Sequence, residues 1–256
     1  IMDHVHLRVL SNKIKFMKKN KIKLFADGLK IDQFDLDFGI EIDGYTFNPS
    51  IFKNHGAKDY LEYSKQLVSK SKDKPISLEV FADNKEEMIE QANVLNKLGK
   101  NIFIKIPITY TNQEYTIDVL KNLVENEIKI NLTAIFTFDQ IKQVLPIVKD
   151  TKTILSVFAG RIYDSGVNAS DMMKEICELV NNQSKCEVLW ASPRMSYDYI
   201  IASNAGAKII TMQPEQIKKI KLFGKDLKDY SLETVKQFYN DANSSGFKIW
   251  KLKVKI

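Results

Sequence analysis

The chain has few residues that could cross-link it or hold a metal ion. Its 256 residues include two cysteines, Cys177 and Cys186, which are too few for a disulfide framework and lack a Cys-x-x-Cys spacing. The three histidines, His4, His6 and His55, are too few and too scattered for a metal site built on imidazole. These shortages favour a reducing compartment and lead us to expect no metal site.

Long apolar runs and glycine-rich phosphate loops are also missing. No run approaches the roughly 20 apolar residues of a membrane-spanning helix, and the first residues lack the apolar core of a secretion signal. No pattern of the GxGxxG or GxxxxGK type follows an apolar run, which weakens the dinucleotide-binding and P-loop alternatives. We therefore expect a cytoplasmic protein that does not bind membranes and carries no cofactor.

Hydrophobic and charged residues are plentiful. With 44% hydrophobic and 27% charged residues, the chain can bury a sizeable core and does not resemble a disordered protein. A length of 256 residues suits one (β/α)8 barrel, which typically needs about 250. The net charge of +6 suits an anionic partner, but charge alone does not separate phosphorylated metabolites, nucleic acid and membrane surfaces.

Eight short apolar runs rich in β-branched residues recur along the chain. Amphipathic stretches such as 84–98 and 170–180 separate them, with apolar residues every three or four positions. Eight buried strands alternating with helices predict a closed parallel barrel or a large open sheet. The runs cover residues 23–27, 44–48, 76–82, 101–109, 129–137, 153–161, 187–192 and 208–212.

Polar residues inside these runs favour the barrel. Pairs two residues apart lie on one face of a strand, because side chains alternate between its faces. Most of the polar residues lie toward the C-terminal half of their run, where barrel enzymes assemble their active sites. We therefore predict an α/β protein with a single (β/α)8 (TIM) barrel. The pairs are Thr46/Asn48, Ser77/Glu79, Asn131/Thr133 and Ser192/Arg194, and the single polar residues are Asp27, Lys105 and Ser156.

Two segments lie outside this repeat and divide the chain into an extension (1–22), a barrel (23–220) and a C-terminal segment (221–256). The extension ends in a basic run, which is more typical of a solvated helix face than of a nucleic-acid-binding arm. The C-terminal segment contains a predicted helix near 232–243, followed by a tail of alternating apolar and lysine residues. This segment packs either on its own barrel or on a partner subunit of a homo-oligomer, and the sequence leaves both open.

Lys105 is the strongest single candidate for chemistry. It lies in the run 101–109, which is apolar enough to be buried on both faces. A buried ammonium group is costly unless it is paired or neutral, and a neutral amine is the form that attacks a carbonyl. A lysine held at the mouth of the barrel by a carboxylate explains the same pattern, so both interpretations stand at this point.

Carboxylates and arginines accompany this lysine. Glu79 and Asp27 lie at a comparable depth in their strands, where they would transfer protons during imine chemistry or form a structural ion pair with Lys105. Arg161 and Arg194 end the sixth and seventh strand regions, Arg161 as the last residue of its run and Arg194 two positions after the run 187–192. The last strands of a barrel commonly hold a phosphate, which arginine binds in a bidentate manner. The alternative for both arginines is a surface pair with a helix carboxylate.

In their order along the chain, these motifs resemble the transaldolase family of Schiff-base-forming class I aldolases, in the branch of small transaldolases and fructose 6-phosphate aldolases. Each motif alone is weak, but seven of them in barrel order over roughly residues 23–245 are specific. The motifs are LFADG (24–28), GYTFNPS (44–50), ISLEV (76–80), IKIPIT (104–109), INLTAIFT (130–137), SVFAGRI (156–162) and ASPR (191–194).

The resemblance implies a role for each matched residue. Lys105 would attack the C2 carbonyl of a ketose phosphate, while Glu79 shuttles protons through a water that Thr133 positions. Asp27 would take the proton of the C4 hydroxyl, so that the C3–C4 bond breaks and Lys105 retains a dihydroxyacetone unit for an aldose phosphate such as erythrose 4-phosphate. The implied substrate-binding residues are Thr46, Asn48, Asn131, Ser156, Phe158, Arg161, Ser192 and Arg194.

Two positions bear on transfer versus simple cleavage. In related fructose 6-phosphate aldolases a tyrosine occupies the position of Phe158 and a glutamine that of Glu79, and the tyrosine helps deliver the water that releases dihydroxyacetone. Phenylalanine and glutamate at these positions favour transfer. The resemblance therefore implies a transaldolase with a donor such as fructose 6-phosphate or sedoheptulose 7-phosphate, the sugars of the pentose phosphate pathway. The chain departs from the family pattern at Gly28, where many members have threonine, and at 193–195, where Phe-Arg-Asn is more common.

Other functions remain open from the sequence. Within the same fold, the alternatives are cleavage without transfer and action on a specialised sugar phosphate. A barrel that only binds or regulates is disfavoured, because the lysine, both carboxylates and both arginines are retained. A nucleic-acid binder would use the basic N-terminal run and bind with strong salt dependence, but the sequence offers no element for contacting bases. We therefore expect sugar phosphates as the partners, and no nucleic acid.

Overall fold

The computed structural model describes residues 22–249 of the chain. Within them it forms two compact units, residues 22–221 and residues 222–249. The basic N-terminal run and most of the alternating tail lie outside the described residues. The division at residues 22 and 220 therefore stays a prediction.

Eight parallel strands close into a barrel in sequence order, which confirms the predicted (β/α)8 fold. Each strand pairs with its two neighbours in the chain, and the last strand pairs with the first. The strands are β1 (Lys23–Asp27), β2 (Gly44–Thr46), β3 (Ile76–Glu79), β4 (Ile102–Pro107), β5 (Ile130–Ile135), β6 (Ile154–Val157), β7 (Glu187–Trp190) and β8 (Ile209–Met212).

Helices follow the strands, as the amphipathic stretches predict. Several begin at a side chain that accepts a hydrogen bond from a free backbone amide of the first turn; Asn84, for example, caps the helix predicted over 84–98. In the unit of residues 22–221 the helices are α1 (Pro49–Asn54), α2 (Tyr60–Ser71), α3 (Lys85–Asn96), α4 (Ile117–Glu125), α5 (Phe138–Val148), α6 (Ala159–Asp164), α7 (Ala169–Gln183), α8 (Asp198–Asn204) and α9 (Pro214–Lys219). Short 3-10 turns cover Ile31–Gln33 and Ile220–Leu222.

Six of the eight strands, β2 to β7, end earlier than their predicted runs. The sixth run was expected to extend through residue 161, but β6 ends at Val157 and α6 begins at Ala159, so Arg161 lies on a helix. The prediction was wrong there because a short apolar run does not distinguish a buried strand from the start of a buried helix. Likewise β7 ends at Trp190, which places Ser192 and Arg194 in the loop that follows it.

An apolar layer fills the barrel beneath the ends of the strands. Phe25 packs there against Ile154, Leu189 and Ile209. A side chain at Gly44 would place its Cβ 2.7 Å from the Phe25 ring, so the bare backbone of β2 leaves room for this ring. Because side chains alternate along a strand, the next inward-facing positions form a second, polar layer nearer the C-terminal ends.

The unit of residues 222–249 contains the C-terminal helix α10 (Leu227–Ser245). The helix predicted near 232–243 is therefore present and longer at both ends. The Asp226 side chain accepts hydrogen bonds from two amides of its first turn, and Gly246 ends it with a left-handed backbone (φ 68°).

None of the helices within residues 22–249 combines the length and the apolar character needed to cross a bilayer.

Candidate active site

A cavity of about 290 Å³ opens at the C-terminal ends of the barrel strands. Its walls include every residue that the sequence analysis assigned to the site except Glu79 and Asn131. The predicted residues that line it are Asp27, Thr46, Asn48, Lys105, Thr133, Ser156, Phe158, Arg161, Ser192 and Arg194.

Lys105 is buried at the bottom of this cavity. Its side chain lies on β4, directly beside Glu79 of β3 in the register of the sheet. The Lys105 Nζ lies 2.9 Å from Glu79 Oε2 and donates a longer hydrogen bond of 3.4 Å to the carbonyl oxygen of Phe47. The ion pair considered as the structural alternative for Lys105 is therefore present, and it lies where a ligand in the cavity would meet the amine.

Asp27 projects into the same cavity from the end of β1. Thr46 Oγ1 donates a hydrogen bond of 2.7 Å to Asp27 Oδ1. Burial raises the pKa of Asp27 above that of an ordinary aspartate, and the charge of Lys105 and the Thr46 hydrogen bond oppose this shift without cancelling it. A carboxylate with a raised pKa is a stronger base, which is the property that proton abstraction requires.

Glu79 is held from behind by a tyrosine that the sequence analysis did not select. Tyr60 of α2 donates its hydroxyl to the Glu79 carbonyl oxygen (2.6 Å), and its hydroxyl oxygen accepts from the Glu79 amide (3.2 Å). Burial and the nearby Glu79 charge raise the pKa of Tyr60, so it keeps its proton. The tyrosine thus fixes the end of β3, and Phe52 stacks on it with ring centroids 4.3 Å apart.

Asn131 lies just beneath the cavity wall. Its side-chain amide donates to Ser77 Oγ (2.9 Å), and its carbonyl oxygen accepts from Ser156 Oγ (2.6 Å). Asn131 is fully buried, so in this arrangement it orients Ser156, which does line the cavity.

Thr133 has a buried hydroxyl for which the described residues provide no hydrogen-bond partner. The next residue, Ala134, has a left-handed backbone (φ 60°), and the pairing register with β6 shifts between Leu132 and Ile135. Bulges of this kind redirect side chains near active sites. The free hydroxyl of Thr133 is available to a water or a ligand in the cavity.

Arg194 is held by two aspartates at the rim of the cavity. Its Nε donates to Asp164 Oδ1 (3.0 Å) and its Nη2 pairs with Asp164 Oδ2, while Asp198 Oδ2 accepts from the Arg194 backbone amide (2.6 Å). The hydrogen bond from Arg194 holds the pKa of Asp164 below its usual range. The surface pair expected as the alternative for Arg194 is thus present, but the arginine also lines the cavity.

The helix that carries Arg161 lies directly against the loop that carries Arg194. A Cβ added to Gly160 would lie 1.6 Å from the carbonyl oxygen of Ser192, so only glycine permits this approach. The Arg161 guanidinium lies over the Phe158 ring, 5.2 Å from its centroid. The close contact explains why both arginines border one cavity although 33 positions separate them in the sequence.

Several supporting residues of the site carry no signal in the sequence. Thr211 of β8 lines the cavity and is buried, although its run showed no role for it. Asp164 and Asp198 lie on helices, where carboxylates usually face solvent, so nothing in the local sequence marked them. Among residues 22–249, no cluster of three or more histidine, cysteine or acidic side chains is arranged to hold a metal ion.

Solved structures of low sequence identity share this fold. Dihydrodipicolinate synthase from Bacillus clausii superposes with a TM-score of 0.56 at 12% identity, covering 88% of this chain and 80% of that chain. Thiamine phosphate pyrophosphorylase from Pyrococcus furiosus superposes with a TM-score of 0.53 at 13% identity, covering 82% of this chain and all of that one. Such identities establish the barrel fold alone.

Relatives of higher identity carry the name "Probable transaldolase". The protein from Bartonella tribocorum is 33% identical over 227 residues, which cover 88% of this chain and 98% of the relative. The protein from Ruegeria sp. is 31% identical over 231 residues, covering 89% of this chain and all of the relative. The family described as Transaldolase/Fructose-6-phosphate aldolase matches residues 24–249. This chain therefore belongs to the transaldolase/fructose-6-phosphate aldolase family.

Proposed function

We propose that this enzyme is a transaldolase of the pentose phosphate pathway that moves a dihydroxyacetone unit between sugar phosphates through a Schiff base on Lys105. The observation that carries the proposal is the position of this amine. Lys105 is the one buried lysine among residues 22–249, and it lies in a cavity with a carboxylate at 2.9 Å and a second, raised-pKa carboxylate in the wall. Imine chemistry needs this combination of an amine and proton-transfer groups.

Schiff-base formation uses the pair of Lys105 and Glu79. Glu79 takes a proton from the Lys105 ammonium, and the neutral amine adds to the C2 carbonyl of a ketose phosphate such as fructose 6-phosphate. A proton passes from the added nitrogen to the C2 oxygen through a water, and Glu79 then returns its own proton to the resulting C2 hydroxyl, which leaves as water while the iminium forms. The free hydroxyl of Thr133 would hold the water that carries these protons.

Carbon–carbon cleavage uses Asp27. The Asp27 carboxylate accepts the proton of the C4 hydroxyl, the C3–C4 bond breaks, and its electrons neutralise the iminium as an enamine. The C4 oxygen becomes the aldehyde of the departing aldose phosphate. An acceptor aldose phosphate then enters and the same steps run backwards, with Asp27 giving its proton to the new C4 oxygen.

The arginines would select phosphorylated substrates, and Phe158 would favour transfer over cleavage. Asp164 engages Nε and Nη2 of Arg194, so Nη1 would be the nitrogen that meets a phosphate, and Arg161 borders the same cavity. Phe158 packs against Phe136 with centroids 5.6 Å apart and has no hydroxyl to guide a water to the enamine. An enamine protected from water favours transfer, so cleavage without transfer is the second candidate.

Trapping of the covalent intermediate tests the proposed function. We expect reduction with borohydride in the presence of fructose 6-phosphate to leave a dihydroxyacetone-derived or hexose-derived adduct on Lys105, located by peptide mass spectrometry. Lys105→Ala should give no adduct, whereas the matched control Lys121→Ala, which alters an exposed lysine on α4, should give the wild-type adduct. An adduct on a different lysine would exclude the proposed mechanism.

The products distinguish transfer from cleavage. With fructose 6-phosphate alone, we expect at most one equivalent of glyceraldehyde 3-phosphate per active site, because the enamine retains the other half. Addition of erythrose 4-phosphate should start continuous turnover and form sedoheptulose 7-phosphate. Continuous release of free dihydroxyacetone without an acceptor would instead identify an aldolase. An enzyme that forms the adduct on Lys105 but shows no turnover, either with fructose 6-phosphate alone or with erythrose 4-phosphate added, would indicate that its substrate is a specialised sugar phosphate.

A further inference from the structure

A chain of three side chains crosses the barrel mouth from β8 to β1. Thr211 Oγ1 of β8 lies 2.5 Å from Thr46 Oγ1 of β2, and Thr46 Oγ1 donates to Asp27 Oδ1 of β1 over 2.7 Å. Both threonines are buried, and all three residues line the cavity. We propose that Thr211 is a positioning residue, which fixes the orientation of the Asp27 carboxylate through Thr46.

The chemistry of the groups fixes the direction of this chain. An ionised carboxylate only accepts hydrogen bonds, and a hydroxyl has one proton to donate. Since Thr46 donates its proton to Asp27, the short contact with Thr211 requires Thr211 to donate to Thr46. Thr211 therefore prevents the Thr46 hydroxyl from turning away from Asp27, and hydrogen bonds in such a chain strengthen one another.

The sheet register explains how three residues so distant in sequence meet. β1 lies between β8 and β2, with Asp27 beside Thr46 and with Phe25 beside Thr211. The inward-facing side chains of the three strands therefore converge over Phe25. Only Asp27 Oδ1 accepts a hydrogen bond in this chain. The chain therefore fixes the orientation of the carboxylate and leaves its second oxygen, Oδ2, to accept from the substrate hydroxyl.

The chain can serve both protonation states of Asp27. After the second oxygen, Oδ2, takes the substrate proton, Oδ1 becomes the carbonyl oxygen of the neutral acid and still accepts from Thr46, so the chain keeps its direction. Each hydroxyl keeps its own proton, and the only proton that moves is the one from the C4 oxygen to Asp27. A valine at position 211 would remove the outer end of the chain in both states.

The other charged groups around Asp27 do not depend on Thr211. Lys105 of β4 lowers the pKa of Asp27 and Glu79 of β3 raises it. Arg161 and Arg194 line the far side of the same cavity. A shallower depression on the outer side of Asp27 is lined by Lys30, His55 and Glu215. A variant at position 211 leaves all these groups in place, so a change in the titration of Asp27 would report on the hydroxyl chain.

This inference rests on the proposed function, because it assigns Thr211 the task of orienting Asp27, the proposed base. The test uses the full chain and compares Thr211→Val with Thr211→Ser. Thr153→Val serves as a control, since Thr153 is a buried threonine that bonds to Thr151 away from the cavity. Two readouts are taken: the pH profile of kcat/KM for transfer from fructose 6-phosphate, and a ¹³C NMR titration of the Asp27 carboxyl in the free enzyme.

For Thr211→Val we expect the pKa of Asp27 to rise by about half a unit, because a Thr46 hydroxyl that Thr211 no longer holds donates less well to the carboxylate, and a weaker donor favours the neutral form. The ionised base is the active form, so the acid limb of the profile should move to higher pH by the same amount, which lowers kcat/KM at a fixed pH by at most about threefold. Loss of the fixed carboxylate orientation should bring the total fall in kcat/KM at neutral pH to about tenfold. Thr211→Ser should restore both values, and Thr153→Val should leave both unchanged.

Two results would overturn the proposal. One is a Thr211→Val enzyme that loses activity with an unshifted Asp27 titration, since that would make Thr211 a packing residue only. The other is a Thr211→Ser enzyme that behaves like the valine variant. Failure of the proposed function looks different: no adduct forms on Lys105 of the wild-type chain, while the NMR titration of the free protein still measures the effect of Thr211 on Asp27.

Discussion

Individual side chains explain why the cations of this cavity suit different tasks. Lys105 is buried and lies 2.9 Å from Glu79 Oε2, so a group that can exchange protons with the amine is within hydrogen-bond distance. Arg194 is partly exposed and is held in a fixed plane by Asp164. An exposed ion pair contributes little to stability, but a planar guanidinium held in one orientation is well placed to bind phosphate.

Replacing Arg194 by alanine should weaken substrate binding far more than catalysis. The phosphate would lose charge-assisted hydrogen bonds that form before the reaction and persist through it, so we expect KM for fructose 6-phosphate to rise about 10- to 100-fold with kcat nearly unchanged. Steady-state kinetics with fructose 6-phosphate measures both constants, and unphosphorylated fructose is the control substrate. A fall in kcat with an unchanged KM would contradict a role in binding the phosphate of the ground state.

Packing between secondary-structure elements places the two arginines at one rim. The helix α6 approaches the loop after β7 so closely that Gly160 cannot carry a side chain. Asp198, at the start of α8, binds the amides of Arg194 and Met195 and so fixes the same loop from the other side. The loop is therefore clamped between two helices, and the proposed phosphate site depends on the contact between them.

Gly160→Ala should disturb both stability and substrate binding. The new methyl group would overlap the Ser192 carbonyl oxygen, and relief by backbone movement should cost about 1–3 kcal/mol of the free energy of unfolding in urea. The displaced loop should also raise KM for fructose 6-phosphate. Gly166→Ala is the matched control just beyond α6: its left-handed backbone (φ 81°) should cost about 1 kcal/mol, and its open surroundings should leave KM unchanged. Equal KM values for the two variants would argue against the clamp.

The chain as a whole keeps both cysteines inside the folded structure. Cys177 and Cys186 are unpaired and buried. Burial raises the pKa of the Cys177 thiol to about 12 and that of Cys186 to about 11. Both remain protonated at neutral pH, so neither is a reactive thiolate in the native state.

Reaction of these thiols should therefore report on unfolding. At pH 8 a thiol-reactive chromogenic reagent should modify neither cysteine of the native chain within minutes, and both in urea.

The raised pKa values of the two thiols also predict that stability depends on pH. Above the pKa of an unfolded thiol, about 8.5, the unfolded chain loses protons that the folded chain retains, so the unfolding free energy should fall as pH rises toward 11. Cys177→Ala should reduce this fall. Rapid modification of the native chain would show that the cysteines are accessible.

The amino-acid sequence was sufficient for the architecture and for the identities of the central residues. Eight β-branched runs separated by amphipathic stretches predict a closed barrel or an open sheet, because strand and helix periodicities are local properties, and the polar residues within the runs favour the barrel. Polar residues near the ends of those runs fall at one end of a parallel barrel, so Lys105, Asp27 and Thr133 were expected in one cavity and lie there. The position of Glu79 beside Lys105 follows from neighbouring strands of equal depth.

Contacts between distant segments could not be predicted from the sequence. Thr46 of β2 and Thr211 of β8 are 165 positions apart in the sequence. They meet only because the barrel closes and its strands are staggered. The ion pair of Asp164 with Arg194 and the close contact of Gly160 with Ser192 could not be predicted either. Nothing in the local sequence around an exposed helix carboxylate or a helical glycine indicates which distant residue it contacts. Periodicity and residue type thus specify which groups are present, while the packing of strands and helices specifies which of them act together.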